Sequence, residues 1–151
     1  MDHFCLHLWH GLRSYWLWRF LLRQNGGNLL RRILVIEDQQ SIRMMLSVFL
    51  SETGYNVEVA ENGEEGIQLF NSHPDLDLVI TDIRMPKVDG NEVARHIRDS
   101  HRANTPLVAI TGFAEEAYME LFDYILEKPF KLETLSNVLA QFKPMDQDIE
   151  N

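Results

Sequence analysis

The sequence predicts a three-layer α/β domain, with a five-stranded parallel sheet wound so that helices cover both faces. Two observations carry that expectation. From Arg32 onward, short apolar runs of strand length alternate with segments of helical periodicity, and right-handed crossovers between such units make neighbouring strands parallel. The first run, Ile33-Leu34-Val35-Ile36, is apolar without alternation, as a strand buried on both faces requires.

The elements follow in order. After the first strand, Ser41 to Thr53 places Ile42, Met45, Leu46, Phe49 and Leu50 at helical spacing, and Gly54 supplies the stop. Asn56 to Ala60 reads as the second strand, and Glu64 to Asn71 as a short helix burying Ile67 and Phe70. Leu76 to Thr81 is the third strand, apolar until it meets Asp82. Asn91 to Asp99 is helical, with Val93, Ala94 and Ile97 inward. Pro106 introduces the fourth strand, Leu107 to Thr111, at a position where its missing N–H costs little. Ala114 to Phe122 reads as a fourth helix, Tyr124 to Glu127 as the fifth strand, and Leu132 to Phe142 as a fifth helix with Leu135, Val138 and Leu139 inside.

The chain of 151 residues has room for one domain with a proper core. Its 45% apolar and 25% charged content fits a soluble globular protein. A net charge of −9 repels a phosphate backbone, so direct nucleic-acid binding is not expected. Cys5 is the one cysteine and makes no internal disulfide; the expected location is cytoplasmic. Residues 1–28 stand apart, with a net charge of +2 against −11 for the remainder, and with Trp9, Trp16 and Trp18 all among them. They read as a poorly ordered extension or a partner-binding amphipathic helix ended by Asn25-Gly26-Gly27-Asn28. His7, His10, Arg13 and Arg19 interrupt the run short of the ~20 apolar residues of a membrane span, and membrane contact is not favoured. His3, Cys5, His7 and His10 offer soft-metal ligand types, but no site is assigned to them. His73, His96 and His101 read as solvated surface residues. The expected division is an extension over 1–28, the domain over 29–143 and a polar tail over 144–151.

In open parallel sheets the functional crevice lies outside the carboxyl ends of the strands. Glu37 and Asp38 follow the first strand, Asp82 the third, Thr111 and Gly112 close the fourth, and Lys128-Pro129 follow the fifth. Three carboxylates, a hydroxyl and an ammonium thus converge on one rim. Clustered carboxylates repel one another and are usually held by a hard cation, and an all-oxygen set suits Mg²⁺.

Glu37-Asp38, Asp82-Ile83-Arg84-Met85-Pro86 with Gly90, Thr111 and Lys128-Pro129-Phe130 together resemble the response-regulator receiver family of two-component signalling. Val59-Ala60-Glu61-Asn62-Gly63-Glu64 is similar to that family's second strand and following turn, and the likeness runs from about Arg31 to Phe142. The resemblance implies a flavodoxin-like receiver fold, with Asp82 taking a phosphoryl group from a histidine kinase or histidine phosphotransfer protein. It implies Mg²⁺ on Asp38, Asp82 and the backbone carbonyl of Arg84, with Glu37 acting mainly through water. Lys128 would pair with a phosphoryl oxygen, Thr111 would turn in to hydrogen-bond the phosphate, and the Lys128–Pro129 bond would be cis.

Rival readings fail at particular residues. A flavin mononucleotide carrier would need a Gly/Ser/Thr-rich loop where Glu37-Asp38 stand. A haloacid-dehalogenase-like phosphatase would want a second Asp where Arg84 stands. A receiver that never turns over phosphate is opposed by the intact Glu37, Asp38, Asp82, Thr111 and Lys128. Two features depart from the family. Thr111 and Lys128 are 17 positions apart, short by more than a helical turn of ~3.6 residues, so a shortened fourth helix is expected. Ile125 occupies the position, three before the lysine, where the family carries an aromatic switch, with Tyr124 one further back; either the toggle is lost or a bulge restores it. Only nine residues follow Phe142, so the expected output is docking onto another protein, with homodimerisation a further possibility. The kinase, the output target and the phosphoryl lifetime are not legible.

Overall fold

The computed structural model describes residues 32–142. The extension over 1–28 and the tail over 144–151 lie outside the described residues. Five strands form one parallel sheet in the order β2-β1-β3-β4-β5: β1 Arg32–Ile36, β2 Asn56–Ala60, β3 Leu76–Thr81, β4 Leu107–Thr111 and β5 Tyr124–Glu127. Four α-helices cover it among the described residues: α1 Gln40–Glu52, α2 Gly63–Ser72, α3 Gly90–Arg98 and α4 Leu132–Leu139.

The strand alternation sorts the core into two layers. Leu34 and Ile36 of β1, Val79 of β3 and Ala109 of β4 join Phe70 of α2 and Val93, Ala94 and Ile97 of α3. Ile33 and Val35, Leu78 and Ile80, Val108 and Ile110 point the other way, onto Leu46 and Leu50 of α1 and Leu135, Val138 and Leu139 of α4. The order changes direction at β1, with β2 on one side and β3 on the other, so loops after β1 and β3 flank a crevice at the carboxyl rim. Asn62 caps α2 by accepting from the Glu65 N–H at 2.8 Å. Asp89 and Glu92 cap α3 reciprocally, each side chain accepting from the other's backbone N–H at 2.9 Å.

The expected fourth helix over Ala114 to Phe122 is not formed. Two short 3₁₀ turns, Ala114–Glu116 and Met119–Leu121, replace it, with Ala117, Tyr118 and Phe122 extended. The reason is reach. The chain must return along the five residues of β4, about 17 Å at strand rise. Nine helical residues would cover only about 14 Å and leave almost nothing for the turns at either end. Tertiary bonds hold the looser path. The buried Asn91 amide donates to the Glu116 carbonyl at 2.8 Å and accepts from the Tyr118 N–H at 2.9 Å. Arg98 donates to the carbonyls of Leu121, Ala103 and Thr105 and to Asp123 Oδ2.

The β4–β5 pairing runs from Val108↔Tyr124 to Thr111↔Glu127 with no register shift. No bulge therefore restores an aromatic to the switch position. Ile125 packs on the layer holding Ala117 and Phe122, whereas Tyr124 lies on the opposite face and is 37% exposed.

Candidate functional site

The carboxyl rim brings Glu37, Asp38 and Asp82 together. One carboxylate oxygen from each lies within 4.8 Å of the others. Strand ends fix the three. The Asp82 N–H donates to the Ile36 carbonyl at 3.0 Å and the Glu37 N–H to the Ala60 carbonyl at 3.1 Å, so each acidic residue is the last ladder-bonded position of its strand. Glu37 and Asp82 are buried, 2% and 6% exposed, while Asp38 is exposed. Asp82 Oδ1 accepts from the Ile83 N–H at 2.6 Å, and the Thr81 hydroxyl donates to the Asp82 carbonyl at 2.8 Å. Gly90 is required directly behind this residue, because a Cβ there would lie 2.1 Å from the Asp82 carbonyl oxygen.

Lys128 closes the rim from β5. Its Nζ donates to Glu37 Oε2 and Asp82 Oδ2, each at 2.9 Å, and the Lys128–Pro129 peptide is cis. Burial pushes the Glu37 carboxyl above its ordinary 4.5, and the hydrogen bond and charge of Lys128 offset only part of that. Burial acts to lower Lys128, but its bonds to Glu37 and Asp82 outweigh that and hold it above its ordinary 10.5. One ammonium against three carboxylates leaves a surplus of negative charge in a partly dry site. An all-oxygen set of this spread fits a small divalent cation, whose opposite ligands stand about 4.2 Å apart.

Thr111 is placed differently. It ends β4 fully buried, and its hydroxyl accepts from the Phe113 N–H at 3.1 Å instead of touching the carboxylates. The Arg84 side chain also leaves the acidic cluster. Its guanidinium stacks 3.5 Å from the Phe113 ring centroid and grips both carboxylate oxygens of Glu116. A cavity of about 690 Å³ opens between the residues after β3, the start of α3 and the first 3₁₀ turn, with Met85, Asn91, Glu116 and Tyr118 in its walls and none of the three clustered carboxylates among them.

Sequence reasoning missed three supports. Arg43 Nη1 donates to the carbonyls of Glu37 at 2.7 Å and Asp38 at 3.2 Å, fixing the acidic turn from α1. A basic residue one turn into the helix after an acidic pair was the only available signal. Asn91 and Glu116 gave none, because their partners lie 25 and 32 positions away.

A family model described as the response regulator receiver domain matches residues 33–140. The chain belongs to that family. Regulatory protein AtoC of Escherichia coli is 35% identical over 132 residues, 81% of this chain and 28% of AtoC. The uncharacterized transcriptional regulatory protein YrkP of Bacillus subtilis is 38% identical over 118 residues, 74% of this chain and 49% of YrkP. The chain thus spans under half the length of these two relatives. Among solved structures, the response regulator TrrA of Thermotoga maritima, in complex with Mg²⁺-BeF, superposes with a TM-score of 0.69 at 34% identity, covering 75% of this chain and 99% of TrrA. The chemotaxis protein CheY4 of Vibrio cholerae superposes at 0.67 and 29% identity, covering 76% of this chain and 99% of CheY4. Receiver domains are signalling domains of two-component systems that bind Mg²⁺ at an acidic site, and this receiver domain carries an acidic cluster of Glu37, Asp38 and Asp82.

Proposed function

We propose that Asp82 is the phospho-acceptor of this receiver domain, taking a phosphoryl group from a phosphohistidine on a histidine kinase or phosphotransfer protein. The observation that carries the reading is the bridge from Lys128 Nζ to Asp82 and Glu37 inside a cluster of three carboxylates. A carboxylate oxygen of Asp82 attacks phosphorus, the N–P bond of the donor breaks, and the imidazole leaves with the electron pair and takes up a proton. Asp82 ends as an acyl phosphate. Ile83 N–H holds the attacking carboxylate in one orientation through Oδ1. Lys128 already sits on Oδ2 and can follow the incoming charge as a mobile point cation. The Thr111 hydroxyl, at the end of β4, accepts from the Phe113 N–H, a bond that does not use its own hydrogen, so turning in toward the rim would present that hydrogen to a phosphoryl oxygen.

Glu37, Asp38 and Asp82, with the carbonyl of Arg84, are the residues proposed to hold Mg²⁺. When bound, the cation offsets charge on the transferring oxygens and lets one anion approach another. The high acidic charge favours output through protein contact over nucleic-acid binding, and we place the protein in the cytoplasm; no helix among the described residues is long and apolar enough to cross a membrane. Incubation with a small acyl-phosphate donor and Mg²⁺, read by intact mass, tests the assignment. One added phosphoryl group that needs Mg²⁺ and is lost in both Asp82→Asn and Asp82→Ala is expected. An unchanged mass in folded wild-type protein would leave a receiver that never turns over phosphate.

A further inference from the structure

We propose that Arg84 is an exchangeable latch, tying the first 3₁₀ turn to the phosphorylation site and letting it go when Asp82 carries a phosphoryl group. The inference rests on the reading of Asp82 as phospho-acceptor. Arg84 lies two residues beyond Asp82, yet its guanidinium is spent on the β4–β5 segment. It forks onto both Glu116 oxygens, with Nε 2.9 Å from Oε2, and stacks on Phe113 at 3.5 Å. Phe113 in turn donates its N–H to the Thr111 hydroxyl. One side chain therefore links the residues after β3 to both the ring and the carboxylate that position residues 113–116.

The pair is suited to exchange. Arg84 and Glu116 side chains are 56% and 38% exposed, and exposed ion pairs are held weakly because water screens them. A phosphoryl group on Asp82 brings more negative charge than the single charge of Glu116 and offers the same forked acceptor geometry. The guanidinium need only turn back toward its own end of β3. Thr111 moving toward the phosphate removes the hydroxyl that holds the Phe113 N–H, so both ends of the latch open in one event.

A hinge is built beside it. Asn91, buried at the start of α3, grips the Glu116 carbonyl and the Tyr118 N–H. These bonds involve neither Arg84 nor the Glu116 side chain. Release therefore frees residues 113–115, the Glu116 carboxylate and the Phe113 ring while Tyr118 stays anchored. The 3₁₀ bonds from the Glu116 N–H to the Phe113 carbonyl, at 3.0 Å, and from the Ala117 N–H to the Ala114 carbonyl, at 3.2 Å, lie on the freed side.

Residue-resolved amide exchange by NMR on the full chain tests this, with and without beryllofluoride and Mg²⁺ as the phosphoryl probe. The Glu116 and Ala117 amides should exchange roughly two- to fivefold faster with the probe bound, the range that loss of an exposed ion pair allows, while the Tyr118 amide stays unchanged. Glu116→Gln, which keeps shape and removes charge, should show the faster exchange without the probe and little further change with it. Probe binding, reported by shifts at the Ile83 and Lys128 amides, with Glu116 and Ala117 unaltered overturns the latch and leaves the phospho-acceptor reading standing. Absence of probe binding to folded protein overturns both.

Discussion

Lys128 carries the electrostatic balance of the rim, and its two carboxylate partners make it testable by pH. Its folded-state value lies above the ordinary 10.5 because its bonds to Glu37 and Asp82 outweigh burial. A basic group raised in this way contributes stability that is fully present below 10.5 and is lost as pH rises through the folded value. The difference in unfolding free energy between wild type and Lys128→Met, from urea titrations, is therefore expected to hold constant from neutral pH to about 10 and to shrink above it. A difference that stays constant into strong alkali would show that Lys128 is not coupled to the carboxylates. Glu37 has the opposite leaning, since burial raises it above 4.5 and its charged form weighs against the fold as pH rises. At this scale the sequence was informative, because Glu37, Asp82, Thr111 and Lys128 each end an apolar strand run and topology alone sends strand ends to one rim. Arg84 was legible only as a position. Its side-chain partner Glu116 is 32 residues away with no periodicity linking the two.

At the scale of elements, strands and four helices followed from apolar patterning, and the segment after β4 did not. Ala114-Glu115-Glu116-Ala117 is rich in good helix formers, yet the distance back along β4 demands more rise per residue than an α-helix gives. Chain reach overrides propensity here, and Asn91 makes the outcome stable by satisfying backbone groups that a helix would have paired internally. Replacing Asn91 by Ala leaves the Glu116 carbonyl and Tyr118 N–H without that partner and should cost about 1–3 kcal/mol in chemical denaturation. Asn91→Asp keeps an acceptor for the Tyr118 N–H and loses the donor to Glu116, so an intermediate loss is expected. Equal stability in all three proteins would mean that the 3₁₀ segment is held by other contacts. The sequence motif did contain one element-level signal whose reason the structure supplies: Gly90 permits the start of α3 to press against the Asp82 carbonyl.

For the molecule as a whole, the sheet order β2-β1-β3-β4-β5 is what brings the residues of four strand ends, those of β1, β3, β4 and β5, to one rim. The reversal at β1 opens the crevice, Arg43 secures the acidic turn on one side and Lys128 reaches across from the far strand. The same arrangement places the unhelical β4–β5 segment at the edge of that site, within reach of Arg84. We propose that this geometry delivers a phosphoryl group to one carboxylate, that of Asp82. Borohydride reduction after treatment with an acyl-phosphate donor and Mg²⁺ converts a phosphorylated aspartate to homoserine, and peptide mass mapping then locates it. Homoserine is expected at position 82 alone, formed only with Mg²⁺. Reduction at position 38 in place of 82, or none in folded and Mg²⁺-supplied protein, would contradict it.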